Sequence, residues 1–156
     1  MERNYWLFKS EPSTYSFDDL LKEGSATWDG VRNYKARNYM KNEMKVGDLV
    51  FYYHSSCEEP GIVGIAEVIK EAIPDDSQFD PKSEYYDPGS NPENPRWWMV
   101  TIRAVEKFPR LVSLKELRNT PGLEEMVILQ KGNRLSITPV KRKEWEIIRS
   151  LATKKF

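Results

Sequence analysis

Hydrophobic and polar residues alternate in several short segments of the chain, which predicts that β-strands form its framework. The predicted strands span residues 4–9, 49–55, 62–72, 97–105 and 134–137. Pro12 follows the first strand, and a loop with Pro60 and Gly61 separates the second from the third, which predicts a hairpin. In the fourth strand, alternate residues from Trp98 to Ala104 share one face.

A period near 3.6 residues and N-capping side chains predict helices between and after these strands. The predicted helical segments span residues 16–22, 33–44, 113–117 and 123–129, with a last helix from residue 138. Ser16, with Asp19 three positions later, forms a capping box. Thr138 as the N-cap and Pro139 at the first helical position predict where the last helix begins. Its apolar stripe contains Trp145, Ile148, Leu151 and Ala152.

This order of elements predicts an α+β protein. Strands that follow one another directly favour antiparallel pairing and argue against a doubly wound parallel sheet. A small, partly open β-barrel of mixed or antiparallel strands, flanked by helices, would bury their apolar faces. The chain has 156 residues, of which 39% are hydrophobic, so we predict a single domain over residues 1–156 and expect a monomer.

Composition excludes several kinds of site. The chain has one Cys and one His, which predicts neither a disulfide framework nor a Cys- or His-rich metal site. We therefore predict no cofactor and no metal. No apolar run approaches the roughly 18 residues that a membrane span needs, and residues 1–4 lack a signal-peptide pattern. We expect no membrane partner, and a cytoplasmic location if the protein is bacterial.

Charges balance over the whole chain but are segregated along it. Lys and Arg together number 24, as do Asp and Glu. Residues 58–94 carry a net charge of −8, whereas residues 32–45 carry +4 and residues 131–156 carry +6. Such segregation can give the folded protein a positive side that attracts polyanions. The alternatives are solvated faces without a partner, or an adaptor that binds another protein through the acidic 75–87 loop.

Catalytic motifs are sparse. The sequence has neither a Gly-rich phosphate loop nor a Gly-x-Ser-x-Gly nucleophile elbow. His54, three residues before Cys57 at the end of a predicted strand, is the candidate general base. One hypothesis is therefore a hydrolase or nuclease that acts on a modified nucleotide, with His54 as base and Asp29 or Glu11 assisting. Structural roles for His54 and Cys57 are the alternative.

Binding chemistry is better supplied, because aromatic residues are spread over predicted loops and strand ends. These residues are Trp6, Tyr15, Trp28, Tyr34, Tyr52, Tyr53, Tyr85, Tyr86, Trp97 and Trp98. Aromatic faces stack on flat, uncharged rings such as nucleobases. Trp28 and Asp29 come just before a predicted helix start, where backbone donors and Arg32 favour an anion. The alternative is that Trp28 is a core residue and that Asn33 only caps the helix.

Several segments, in order over nearly the whole chain, resemble the EVE domains of the PUA-like superfamily. They are Lys9 to Pro12, Trp28 to Asn38, Gly47-Asp48, Tyr53 to Ser55, Gly61 to Val68, Tyr86 to Pro88, Pro95 to Trp97 and Arg134 to Ser136. The resemblance implies a PUA-like pseudo-barrel and kinship with YTH domains, which read 6-methyladenine in RNA through an aromatic cage. It also implies a reader of modified bases in DNA or RNA, with derivatives of 5-methylcytosine among the ligands.

The resemblance further implies an aromatic cage in which Trp28 is one wall and Trp97 or Tyr86 the other. The implied polar contacts to a base edge are Ser10, Glu11, Asn33, Tyr53, His54 and Ser55. The residues expected to meet phosphate are Lys9, Arg32 and Arg37. We therefore predict a non-catalytic module that binds a methylated or hydroxymethylated base, with nucleic acid as its partner; the relatives in eukaryotes are expected in the nucleus.

Overall fold

Six β-strands form one sheet in the structure, a computed structural model that describes residues 3–132 and 135–153. The strands are β1 (Tyr5–Ser10), β2 (Ser25–Thr27), β3 (Leu49–His54), β4 (Gly61–Pro74), β5 (Trp98–Ser113) and β6 (Ile137–Val140). Their order across the sheet is β2-β5-β4-β3-β1-β6, so β2 and β6 are its two ends. With the helices that flank it, this sheet confirms the predicted α+β class.

The pair β1–β3 at the centre of the sheet is parallel, from Tyr5 beside Leu49 to Ser10 beside His54. The other four strand pairs are antiparallel. A parallel pair needs a long crossover connection, and residues 11–48 between these two strands supply it. The hairpin predicted around Pro60 and Gly61 is the antiparallel pair β3–β4.

Within these described ranges, four α-helices accompany the sheet. They are α1 (Phe17–Glu23), α2 (Tyr34–Asn38), α3 (Leu114–Arg118) and α4 (Arg142–Thr153). A π-helical turn over Tyr39–Glu43 continues α2, and 3₁₀ turns lie at Asp76–Phe79 and Val127–Leu129. The capping box predicted for Ser16 and Asp19 is confirmed, because each side chain accepts a hydrogen bond from the backbone N–H of the other.

The predicted start of the last helix is wrong. Thr138 and Pro139 belong to β6, where they pair with Leu7 and Trp6 of β1. A proline is tolerated there because β6 is an edge strand. Helix α4 begins at Arg142 instead, and the backbone N–H of Lys141 donates to Glu144 Oε1 at 2.9 Å. The apolar stripe of this helix is confirmed, with Trp145, Ile148 and Ala152 buried.

Two other predicted strands have different bounds in the structure, and one strand was not predicted. Strand β5 extends to Ser113 rather than ending at residue 105, because its second half pairs with the start of β4 through irregular register. Strand β2, with three residues, is too short to show a period in the sequence. The strand predicted over 134–137 begins at Ile137, and residue 134 lies outside the described residues.

Alternate residues of the central strands belong to two different hydrophobic clusters. The first cluster includes Trp6, Phe8, Phe17, Met40, Val50, Tyr52, Val100 and Ile102. The second includes Leu7, Phe51, Tyr53, Phe108, Leu117, Trp145 and Ile148. In the second cluster the rings of Phe51 and Trp145 stack with centroids 3.7 Å apart. Period-two alternation along β1 and β3 therefore divides the interior between the two faces of the sheet.

A buried carboxylate, that of Asp48, connects the beginnings of β1 and β3. It accepts hydrogen bonds from Trp6 Nε1 at 3.1 Å, from the backbone N–H of Asn4 at 3.1 Å and from that of Lys45 at 2.9 Å. Asp48 is 2% exposed, so these donors would lose a buried partner without it.

We expect Asp48→Ala to lower the free energy of unfolding by about 3 kcal/mol, because it leaves the buried indole N–H of Trp6 and two part-buried backbone N–H groups without their acceptor. Urea denaturation followed by circular dichroism measures this change. Asp76→Ala is the control, since Asp76 is exposed, and we expect it to change stability by less than about 0.5 kcal/mol. Equal effects of the two substitutions would contradict the role given to Asp48.

Candidate functional site

A pocket of about 590 Å³ opens beside the end of β1. Its walls come from the end of β1, the loop before α1, strand β2 with residues 28–32, and the loop that follows β4. The described residues that line it are Lys9, Ser10, Thr14, Tyr15, Glu23, Ala26, Thr27, Trp28, Asp29, Gly30, Val31, Arg32, Tyr85 and Ser136. Four predicted site residues thus share one pocket: Lys9, Ser10, Trp28 and Arg32.

Another pocket, of about 540 Å³, lies beside the start of β1 and is lined by residues of β1 and β6 together with Arg3, Glu43 and Arg142. None of the predicted base-binding residues is among the described residues that line it. The pocket beside Trp28 is therefore the candidate site.

Trp28 is half-buried and joins the pocket to the first hydrophobic cluster. Its backbone N–H donates to the carbonyl of Val100 at 2.7 Å, which fixes the chain beside β5. The indole packs against Phe8 with centroids 5.3 Å apart and edge-on against Tyr52 at 5.6 Å and Tyr15 at 6.4 Å. Trp28 is thus packed against the first hydrophobic cluster, as the alternative held, and it is also one of the residues that line the pocket.

Tyr85 supplies a second aromatic side chain from the loop that follows β4. A Cβ atom at Gly30 would lie 2.6 Å from Cζ of Tyr85, so only glycine fits beneath this ring. Gly30 also has a φ of +77°, a conformation that favours glycine. Arg32 donates twice to the carbonyl oxygen of Tyr85, at 2.7 and 3.2 Å.

Arg32 and Asp75 hold the two pocket-forming segments together. Nη1 of Arg32 lies 3.2 Å from Oδ2 of Asp75, which is fully buried. The same carboxylate accepts from the backbone N–H of Gly30 at 2.8 Å and from both the backbone N–H and the hydroxyl of Ser77. Burial alone would raise the pKa of Asp75, but these hydrogen bonds together lower it below its usual value.

The remaining polar side chains of the pocket differ in what they contact. The hydroxyl of Ser10 donates to the carbonyl of Tyr15 at 2.8 Å, and the hydroxyl of Tyr15 donates to Glu23. Lys9 forms no ion pair with a described residue, and burial lowers the pKa of its ammonium group. Burial and the nearby Asp75 raise the pKa of Asp29.

The structure does not bring the other predicted aromatic residues to this pocket. Trp97 is buried, donates from Nε1 to Asp87 Oδ2 at 2.7 Å and stacks on Tyr34 with centroids 5.0 Å apart. Tyr86 is 42% exposed and does not line the pocket. The aromatic residues that line the pocket beside Trp28 are Tyr15 and Tyr85, whereas Trp97 and Tyr86 are not among its described lining residues.

Two predicted polar residues lie on α2 instead. Asn33 caps this helix, with Oδ1 accepting from the backbone N–H of Ala36 at 3.1 Å. Arg37 donates to the carbonyl of Arg96 at 2.9 Å, and its guanidinium lies 4.9 Å from the ring centroid of Tyr34. Neither residue lines the pocket.

The segment at the end of β3 also lies outside the pocket. Nε2 of His54 accepts a hydrogen bond from the backbone N–H of Phe17 at 3.0 Å, and burial lowers the pKa of this imidazole. Tyr53 belongs to the second hydrophobic cluster, and the backbone N–H of Ser55 donates to the carbonyl of Ser10 at 3.0 Å. The nitrogen that a general base would use is thus already occupied in His54.

Glu11 is exposed, and its backbone carbonyl accepts from the N–H groups of Thr14 and Tyr15, both at 2.9 Å. It forms the turn that carries Tyr15 into the pocket wall, without lining the pocket itself.

Tyr15, Gly30 and Tyr85 are not among the site residues predicted from the sequence. Asp29 is predicted there only as a residue that assists His54 in the hydrolase hypothesis. Tyr85 lies far from Trp28 in the sequence, and only the contacts of Arg32 and Asp75 bring it near. The one local signal was Gly30, whose position next to Trp28 and Asp29 indicates close approach of another group.

The described residues contain no group of three or more His, Cys, Asp or Glu side chains placed to hold a metal ion. Within the same part of the chain, no helix has the length and apolar character that crossing a membrane requires.

We expect Asp75→Asn to lower the free energy of unfolding at pH 7 by about 2 kcal/mol, because the ionised carboxylate accepts charge-assisted hydrogen bonds. Since the folded-state pKa of Asp75 lies below its ordinary value of 3.8, this contribution is present above that value and is lost as the pH falls further. Thermal unfolding of both proteins from pH 7 to pH 3 tests this. A difference that stays constant over the range would contradict it.

Comparison with known proteins places these observations in a family. Thymocyte nuclear protein 1 of Homo sapiens is 39% identical over 169 residues, which cover 97% of this chain and 75% of the relative. A crystal structure of human THYN1 protein in complex with 5-methylcytosine containing DNA is 38% identical, has a TM-score of 0.90 and covers 98% of this chain and 99% of its own. A Pseudomonas syringae crystal structure is 44% identical with a TM-score of 0.90, covering 95% of this chain and 99% of its own.

The family model named EVE domain matches residues 4–151. This match and the similarity to thymocyte nuclear protein 1 over nearly the whole chain agree with the resemblance found in the sequence. The chain belongs to the EVE domain family.

Proposed function

We propose that this protein binds DNA and holds a modified base, of the methylated cytosine class, in the pocket beside Trp28 without altering it chemically. The observation that carries the proposal is the position of Trp28, which lines the pocket while Phe8 and Tyr52 pack against its ring. The human relative crystallised with 5-methylcytosine containing DNA supports the choice of ligand.

A base must leave its stack to enter such a pocket, which costs a few kcal/mol in a duplex. Stacking on an aromatic side chain contributes about 1–3 kcal/mol per base, so two aromatic walls can offset this cost. Trp28 and Tyr85 both line the pocket. Its volume of about 590 Å³ is within the usual range of small-molecule sites.

Recognition of a methyl group needs apolar surface next to the base. Ala26 and Val31 line the same pocket, and Val31 is buried. Burying one methyl group contributes about 0.8 kcal/mol, which is a fewfold preference over the unmodified base. Most of the affinity therefore comes from stacking and from contacts to the polar edge of the base.

Contacts to phosphate fall mainly to Lys9, whose ammonium group has no partner among the described residues. Arg32 is already engaged by Asp75 and by the carbonyl of Tyr85, and it acts chiefly by holding the pocket together. Arg37 contacts backbone from outside the pocket. Since such contacts release counterions, affinity falls as the salt concentration rises.

Binding without catalysis agrees with the position of the candidate base. His54 Nε2 accepts the N–H of Phe17, and neither His nor Cys is among the described residues that line the pocket. The hydrolase hypothesis would require His54 to leave this contact and reach the pocket.

We expect Trp28→Ala to weaken binding of a 5-methylcytosine oligonucleotide by about tenfold or more, because the stacking surface is lost. Titration at low salt, followed by fluorescence anisotropy of a labelled oligonucleotide, measures the change. Recovery of the oligonucleotide unchanged after long incubation tests the absence of catalysis in the same samples.

Trp98→Ala is the matched control, because Trp98 is half-buried on β5 and does not line the pocket. We expect the affinity of this variant to stay within about twofold of wild type, because Trp98 would make no stacking contact with the base. Thermal melting of both variants separates lost binding from lost folding. Equal losses in two folded variants, or no saturable binding by wild type, would refute the proposal.

The ring of Tyr85 is tested by a pair of substitutions. We expect Tyr85→Phe to bind within about twofold of wild type and Tyr85→Ala to lose about tenfold, because the ring and not the hydroxyl would face the base. The same titration measures both. If Tyr85→Ala bound as wild type does, Tyr85 would not be a wall for the base.

A further inference from the structure

We infer that the carboxylate of Asp29 makes this pocket select a base that carries an exocyclic amino group, as 5-methylcytosine does, over one that carries an oxygen there, as thymine does. The inference rests on the proposed function and adds the polar edge of the base to it. It starts from the positions and contacts of the acidic side chains at the pocket.

Three carboxylates lie in or behind the pocket wall, and two of them are occupied. Asp75 accepts from Gly30, Arg32 and Ser77, and Glu23 accepts from the hydroxyl of Tyr15. Asp29 lines the pocket, and its carboxylate accepts no hydrogen bond from any other described residue. Asp29 is thus a lining residue whose carboxylate oxygens no other described residue occupies, so they can accept from a ligand in the pocket.

A free carboxylate is unfavourable at a site that receives a polyanion, because it repels phosphate. Asp29 is exposed as a whole residue, but partial burial of its carboxyl group and the neighbouring Asp75 raise the pKa of Asp29. A ligand that donates a hydrogen bond to this carboxylate would stabilise its charged form against burial and the charge of Asp75, since charge-assisted hydrogen bonds are stronger than neutral ones. The pocket thus favours a ligand with a donor near Asp29.

The two methylated pyrimidines of DNA differ at this point. Cytosine presents the N4 amino donor, for which a carboxylate is the natural acceptor, whereas thymine presents the O4 acceptor. Both 5-methylcytosine and thymine carry a methyl group at C5, so apolar contacts of the methyl group do not distinguish them. In thymine, O4 would face the Asp29 carboxylate with two acceptors opposed and neither satisfied.

The test uses two single-stranded oligonucleotides that are identical except for one central 5-methylcytosine or thymine. Single strands remove differences in the cost of unpairing. We expect wild type to prefer 5-methylcytosine by about tenfold or more, and Asp29→Asn to reduce this ratio to about twofold or less, because an amide presents both a donor and an acceptor.

Asp76→Asn is the matched control, because it removes the same charge from an exposed carboxylate that does not line the pocket. We expect it to keep the wild-type ratio. If Asp29→Asn bound both oligonucleotides more tightly with an unchanged ratio, Asp29 would act only by repelling phosphate, and the inference would be overturned.

Binding by wild type alone distinguishes failure of the inference about Asp29 from failure of the proposed function. Equal binding of 5-methylcytosine and thymine by wild type would overturn the inference, even if Asp29→Asn failed to fold, while leaving intact the part of the proposed function by which the pocket beside Trp28 binds a DNA base. Binding of neither oligonucleotide would overturn the proposed function itself.

Discussion

Neighbouring residues of a β-strand point to opposite faces of the sheet, and this constraint decides which side chains of β1 and β3 can support the pocket. Phe8 and Tyr52 share a face, and both pack against Trp28. Leu7 and Tyr53, their neighbours in the sequence, face the second hydrophobic cluster, where α4 covers the sheet. The parallel pairing of β1 with β3 keeps Phe8 beside Tyr52, so the aromatic support of the pocket depends on this register.

The sequence predicts correctly those features that depend on residues close together in the chain, such as helix caps and the buried faces of helices. Ser16 caps α1, and the buried face of α4 follows the spacing of Trp145 and Ile148. The sequence signal failed where tertiary structure overrides a local preference. The residue types of Thr138 and Pro139 predict a helix start, yet both residues belong to strand β6. Proline is tolerated there because β6 is an edge strand. The parallel pairing of β1 with β3 was also not predicted, because the pairing of strands joined by a long crossover has no signature in the neighbouring sequence.

The site was predictable only in part, for a related reason. Ser10 and Trp28 come to the same pocket because both are carried at the ends of strands whose places in the sheet are fixed. Tyr53 and His54 follow β3 equally closely, but alternation turns Tyr53 away and the first turn of α1 occupies His54. Tyr85 is held at the pocket by tertiary contacts, above all the hydrogen bonds that Arg32 donates to its carbonyl oxygen. The positive charge of Arg32 predicted a contact with phosphate and gave no sign of this structural role.

If the pocket holds a DNA base as proposed, the neutral charge of the chain bears on how the protein would select that base. A strongly basic protein binds any DNA through phosphates, and that attraction carries no information about the base. Here basic and acidic residues cancel, and the pocket is lined by Lys9 and Asp29, neither of which forms an ion pair with another described residue. In the proposed complex, weak attraction to the backbone would lower binding to unmodified DNA, which vastly outnumbers modified sites, so contacts with the base itself would decide where the protein binds.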